Sequence, residues 1–193
     1  MPRPRRRRYR RPRSPWRRAA DYALTAVLIA ASLWGLRQWG GFGGGAVRVI
    51  DGDSLIVDGR EVRLSGIDAV ELHQTCLDPR GRPWPCGRLA RNHLRALVRG
   101  EKLDCKTIDV DKYERTVAVC RAGGRDIGLA MLAAGWAVPF IGAPPAYHRA
   151  SQHARAARLG IWHGRFARPA EWRARSRALH GDAAGAGAKT PPD

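Results

Sequence analysis

From residue 46 onward, apolar positions recur in short runs separated by Asp-Gly pairs. Ala46–Ile50 (AVRVI) reads as a strand, Asp51-Gly52 as a turn, and Ser54–Val57 as a second strand. Asp58-Gly59 is a second turn, and Glu61–Ile67 (EVRLSGI) a third strand. Two Asp-Gly turns between β-branched runs describe a meander. Asp68 to Pro85 is loop-like, carrying Pro79, Gly81, Pro83 and Pro85. The period then changes. Leu89, Ala90, Leu94, Leu97 and Val98 recur at helical spacing within Cys86–Val98, and Gly100 ends that helix. Lys102–Ile108 and Arg115–Cys120 are strands on either side of the polar connector Asp109–Glu114. Ile127–Ala134 and His148–Leu159 are further helices, stopped by Gly135 and Gly160, and Glu171–Leu179 adds a turn or two. Five short strands with a helix between the third and fourth follow the order of an OB-fold barrel. The expectation is an α+β fold, a five-stranded barrel with three helices. The strands are too few for a sandwich.

The N-terminal pattern is different. Tyr22 to Leu36 (YALTAVLIAASLWGL) is a run of fifteen uncharged, mostly apolar residues. A bilayer span usually needs about 20. Arg37 can snorkel, and uncharged residues resume with Gln38, Trp39 and Phe42. Tyr22, Trp34 and Trp39 stand at the ends, as in an aromatic belt. Ten Arg precede the run and orient it with the N-terminus in the cytoplasm. The favoured reading is a membrane anchor, and the competing one a cleaved signal peptide with a small-residue site at Ala30-Ala31-Ser32. The expected organisation is a basic cytoplasmic tail at 1–18, a transmembrane or signal-anchor helix at 19–39, and a Gly-rich linker at 40–45. A catalytic or binding domain at 46–165 and a partly disordered extension at 166–193 follow. The domain is then periplasmic or at the cell surface, or secreted if the segment is cleaved.

Charge sharpens this division. The chain of 193 residues carries 35 Lys+Arg against 17 Asp+Glu, a net +18. Without the N-terminal arginines the remainder is still +8, which suits a polyanionic partner such as nucleic acid. The four cysteines, Cys76, Cys86, Cys105 and Cys120, all follow the apolar run. Cys76 with Cys86 closes a short loop, and Cys105 and Cys120 flank the expected hairpin. Those two disulfides are expected, in keeping with an oxidising compartment. Zinc is disfavoured, because the chain has no Cys-x-x-Cys pair and no His near the cysteines at ligand spacing. The six His show no metal spacing, Trp136, Phe140 and Trp162 read as packing residues, and the basic third helix as a solvated face.

The acidic residues gain meaning as a set. Asp53 opens the second strand, Asp68 closes the third, and Glu71 follows three residues later. A meander brings these positions to one end of the barrel, where three carboxylates repel unless a cation lies between them. Oxygen ligands favour a hard ion, calcium or magnesium. Arg63 within the third strand and Arg115 at the start of the fifth add groups that hold phosphate bidentately.

Val49-Ile50-Asp51-Gly52-Asp53-Ser54, Val62-Arg63-Leu64 through Asp68 to Glu71, and Asp111-Lys112-Tyr113-Glu114-Arg115 resemble the motifs of the thermonuclease (staphylococcal-nuclease-like) family. Gly160-Ile161-Trp162 is similar to that family's closing motif, so the resemblance covers about Ala46 to Trp162. It implies an OB barrel with three helices and one calcium ion, held by the Asp53 and Asp68 side chains and the Ala69 carbonyl. It implies Glu71 as the general base, Arg63 and Arg115 as phosphate-holding catalytic residues, and Lys112 and Tyr113 as contacts to the terminal phosphate. The implied activity is cleavage of DNA and RNA with little sequence preference, leaving 3′-phosphates. Three positions depart from the family pattern: Ala69 for Thr, Val70 for Pro, and Glu114 for Gly. The Cys76–Cys86 loop is expected to restore rigidity lost with that Pro. Two alternatives are a catalytically inactive OB module, binding nucleic acid or protein from the membrane, and an adaptor whose working part is the basic tail. No protein partner is predicted for the nuclease reading.

Overall fold

The computed structural model describes residues 15–38 and 43–186. Most of the basic tail, part of the glycine-rich linker and residues 187–193 lie outside the described residues. Two compact units divide near Gly40. The first contains α1 (Pro15–Gln38), in which Trp16, Tyr22, Val27 and Leu28 are exposed. No described helix is long and apolar enough to cross a membrane. The fifteen-residue apolar run rises only about 22 Å as a helix, short of a hydrocarbon core of about 30 Å.

The second unit holds the barrel sheet. β1 (Val47–Val49), β2 (Ser54–Val57) and β3 (Arg60–Leu64) form the antiparallel meander. Asp58 and Gly59 both adopt positive φ, 52° and 78°, giving the two-residue hairpin turn that the Asp-Gly pair favours. The third expected strand does not continue through Ile67. Gly66, at φ 76°, turns the chain, and Tyr147 packs 3.0 Å from where a side chain would begin. β4 (Ile67–Ala69) thereby leaves the main sheet and pairs with the later β10 (Ala137–Pro139). β5 (Cys76–Leu77) and β6 (Pro83–Trp84) make a small hairpin inside the expected loop.

α2 (Cys86–Val98) keeps its expected bounds, with Cys86, Ala90, Leu94 and Val98 buried at four-residue intervals. β7 (Leu103–Val110) and β8 (Thr116–Ala122) pair antiparallel with Cys105 opposite Cys120, and β9 (Arg125–Asp126) pairs with β8. β8 lies parallel to β3, so the sheet order is β1-β2-β3-β8-β7, the meander-then-parallel order of an OB fold. α3 (Ile127–Ala133) is capped by the Asp126 side chain. α4 (Pro145–Ala156) starts three residues before the expected His148, because Pro is well suited to the first helical position. A 3₁₀ turn (Gly160–His163) and α5 (Pro169–Ala186) complete the described residues, and α5 is far longer than the expected turn or two. Leu55, Val62, Leu94, Leu103, Met131 and Ile161 fill the core. Trp136 and Trp162 pack against it as expected, but Phe140, just past the end of β10, is half exposed.

Candidate active site

The turn between β1 and β2 sets the first carboxylate. The Asp53 N–H donates to Asp51 Oδ1 (3.0 Å), and the Asp53 carbonyl accepts from the Leu64 N–H (2.8 Å). Asp53 therefore faces the corner where β3 passes into β4. Ala69, on β4, donates its N–H to Asp53 Oδ2 (2.9 Å), and the Ser54 hydroxyl donates to Oδ1 (3.0 Å). Arg63, paired with Ser54 across β2 and β3, reaches Asp53 Oδ1 and Oδ2 at 3.3 and 3.1 Å and Asp68 Oδ1 at 2.8 Å. Asp53 and Asp68 are only 3% and 5% exposed, so their mutual repulsion is met by this shared guanidinium. Burial pushes the Asp53 carboxyl up to about 7, with Asp51 and Asp68 adding and Arg63 and the Ala69 N–H opposing.

Glu71 sits on a loop fixed by Gln74. Gln74 Oε1 accepts from the Glu71 N–H (3.1 Å), and the Gln74 N–H returns to the Glu71 carbonyl (2.8 Å). The disulfide Cys76–Cys86 joins this loop to the start of α2. There Gly87 is required, because a side chain would collide with the Glu71 carbonyl. The second disulfide, Cys105–Cys120, crosses the β7–β8 hairpin, so both expected pairings are present and no described cysteine is free.

Sequence reasoning missed Arg173 on α5. Its Nη1 lies 2.7 Å from Glu71 Oε1 and 2.9 Å from Asp68 Oδ1, and its Nη2 3.1 Å from Asp68 Oδ2. The hydrogen bond to Asp68 is the main cause that holds its pKa above the ordinary arginine value, outweighing burial. Nothing in the local sequence marks Arg173 among its arginine neighbours. Gln74, almost fully buried, was also missed for want of any local signal.

Asp53, Arg63, Asp68, Ala69 and Glu71 thus converge, whereas Arg115, near enough to feel the Asp53 charge, turns its guanidinium to the hairpin. Arg115 donates from Nε to Asp111 Oδ2 (2.8 Å), pairs through Nη2 with the same oxygen (2.6 Å), and lies 3.9 Å from Glu61. Burial opposes its charge, but the Asp111 hydrogen bond and carboxylate outweigh this and raise its pKa. Tyr113 is exposed, with Lys112 Nζ 5.0 Å and the Arg115 guanidinium 5.4 Å from its ring centre. Glu114 adopts φ 64°, a left-handed conformation that explains why glycine suits this position.

Among the described residues, no group of three or more His, Cys, Asp or Glu side chains is arranged to hold a metal ion. The chemistry of Asp53 and Asp68 nevertheless suits a hard divalent cation: buried oxygen donors that demand positive charge. Arg63 and Arg173 supply that charge here, so a cation would compete with them for the same oxygens.

The family described as Staphylococcal nuclease homologue matches residues 61–164, more than half of the chain. This chain belongs to that family. As a staphylococcal nuclease homologue it is a nuclease hydrolase, and the OB-type sheet order agrees with the family fold. It is 35% identical over 121 residues to the succinoglycan biosynthesis protein ExoI of Rhizobium meliloti (strain 1021), covering 61% of this chain and 63% of that one. It is 35% identical over 172 residues to protein ParB of Escherichia coli, covering 80% and 89%. It is 31% identical over 179 residues to the micrococcal nuclease of Shigella flexneri, covering 83% and 97%. Both Glu71 and Arg115 lie inside the matched stretch, whereas Asp53 precedes it and Arg173 follows it.

Proposed function

We propose that the domain is a calcium-dependent phosphodiesterase that cuts DNA and/or RNA with little sequence preference and leaves 3′-phosphates. The observation that carries this reading is the convergence of Asp53, Arg63, Asp68 and Glu71 at one corner of the barrel. Family membership and the name of the Shigella relative support the same class.

Asp53 and Asp68 would hold the calcium ion with the Ala69 carbonyl, with magnesium as the other hard ion the oxygens admit. The bound ion supplies Lewis-acid polarisation of the phosphate and of a water molecule. Glu71 accepts the proton of the water that attacks phosphorus. The bond to the 5′-oxygen breaks, that oxygen takes a proton from solvent water, and phosphate stays on the 3′-oxygen. Arg63 and Arg115 turn their guanidinium groups to the phosphate and stabilise the charge that builds on it. Lys112 and Tyr113, at the hairpin tip, meet the terminal phosphate.

The two disulfides support a working place outside the cytoplasm. The basic N-terminus and its fifteen-residue apolar run are then the export segment, either cleaved or kept as a tether. Cell fractionation tests this: protein confined to the cytoplasm with free thiols would contradict it.

Incubating the purified protein with plasmid and with RNA, in calcium and then in EGTA, tests the activity. Calcium-dependent degradation is expected, reduced at least about a hundredfold in Glu71→Ala and in Arg115→Ala. Binding without cleavage would instead identify a catalytically inactive OB module.

A further inference from the structure

The family match ends at residue 164, yet the chain beyond it is built into the site. Three contacts lead there in order. Leu77 and Arg165 exchange two backbone hydrogen bonds, each 2.8 Å, beside the Cys76–Cys86 bridge. Gln74, whose Oε1 holds the Glu71 N–H, donates from Nε2 to the Ala167 carbonyl (2.7 Å). Six residues later, on the first turns of α5, Arg173 bonds Glu71 and both oxygens of Asp68. One side of the Glu71 loop is thus stapled by the disulfide, and the other is anchored to the start of α5.

The consequence lies in Glu71. This side chain is partly exposed, and Arg173 Nη1 is its closest charged contact. A carboxylate with several accessible rotamers spends only a fraction of its time where it can take a proton from an attacking water. A planar guanidinium that bonds Asp68 through both oxygens and Glu71 through one fixes the distance between the two carboxylates.

We propose that Arg173 is a positioning residue for phosphodiester cleavage, supplied by the C-terminal helix, that holds Glu71 in register with Asp68. This rests on the nuclease reading above. Arg173 acts through Glu71 and Asp68 and leaves phosphate to Arg63 and Arg115. Loss of its bonds removes the alignment of the base and frees Asp68 Oδ2, while Arg63 keeps Oδ1.

The test uses the full chain and the variants Arg173→Ala, Arg173→Lys and Arg177→Ala, the last removing an exposed charge from the same helix. With a DNA oligonucleotide at saturating calcium, Arg173→Ala is expected to lower kcat by about 10–100-fold with KM unchanged, the usual loss when a residue that orients a ligand is removed. Arg173→Lys should recover part of it, and Arg177→Ala should match the parent chain. Calorimetric titration of calcium into substrate-free protein gives a second readout. Arg173→Ala should bind calcium several-fold more tightly, because a cation competing for Asp68 is gone.

An unchanged kcat overturns the proposal, and so does a raised kcat, which would make Arg173 a blocking contact. A rise in KM alone also overturns it, because that would make Arg173 a phosphate ligand. If the parent chain itself does not cut, the nuclease reading fails, and the calcium titration still decides whether Arg173 governs Asp68. Thermal melts of each variant separate these outcomes from unfolding.

Discussion

Replacing Arg63 by Ala isolates the charge balance on which the site depends. Asp53 and Asp68 are both nearly inaccessible, and Arg63 touches them at 2.8–3.3 Å. Removing one partner of a buried ion pair usually costs about 3–5 kcal/mol, because the remaining charge is left without compensation. Arg173 still covers Asp68, and the Ala69 N–H and Ser54 hydroxyl still reach Asp53, so the lower end, about 3 kcal/mol, applies. For a domain of this size that loss corresponds to roughly 6–12 °C in Tm. The deficit has a definite pH dependence. A carboxyl whose pKa is raised on folding contributes stability below its unfolded value and loses it as pH rises through the folded one. Burial already pushes the Asp53 carboxyl up to about 7 with Arg63 present. Without Arg63 the carboxyl escapes by taking up a proton, so the deficit is largest above pH 7 and shrinks towards pH 5. Scanning calorimetry in EGTA across that range measures it. Adding calcium at pH 8 should restore more Tm in Arg63→Ala than in the parent chain, while cleavage stays impaired. A metal-free melt at pH 8 that coincides with the parent would refute the charge-balance argument, as would equal calcium stabilisation of both proteins.

Two other substitutions address the hairpin. Glu114→Gly should stabilise the domain by about 1 kcal/mol, since Glu114 holds a left-handed φ of 64° that glycine adopts without a steric cost. A lower urea midpoint in that variant would show that the Glu114 side chain contributes more than its backbone costs. Replacing both Cys105 and Cys120 by Ala opens a loop of 15 residues and should cost about 3 kcal/mol by loop entropy, seen as a lower denaturation midpoint. A midpoint equal to that of the oxidised parent would count against the bridge as a stabilising element.

Much of this protein follows from local chemistry written along the chain. Asp58-Gly59 can adopt two positive φ values in succession, so it specifies a tight hairpin before any tertiary contact exists. The four-residue recurrence of Cys86, Ala90, Leu94 and Val98 defines a helix and its buried face together. Once Lys102–Ile108 and Arg115–Cys120 are read as a hairpin, Cys105 and Cys120 have only to face each other, and they do. Asp53, Arg63 and Asp68 are legible as a site for the same reason, since meander register brings strand ends together. Other features depend on partners distant in sequence. Gly66 breaks the third strand because Tyr147 and β10 give the following residues a better place to pair. Arg115 turns to Asp111 because the hairpin tip offers a carboxylate four residues away in reach of its guanidinium. Arg173 carries no local signal at all, for its contacts with Asp68 and Glu71 span more than 100 residues. The sequence by itself determined the Asp58-Gly59 hairpin turn, which cysteines pair and which carboxylates gather. Only the tertiary structure decided which arginines neutralise them, because a buried charge is satisfied by whatever the fold brings within hydrogen-bonding distance.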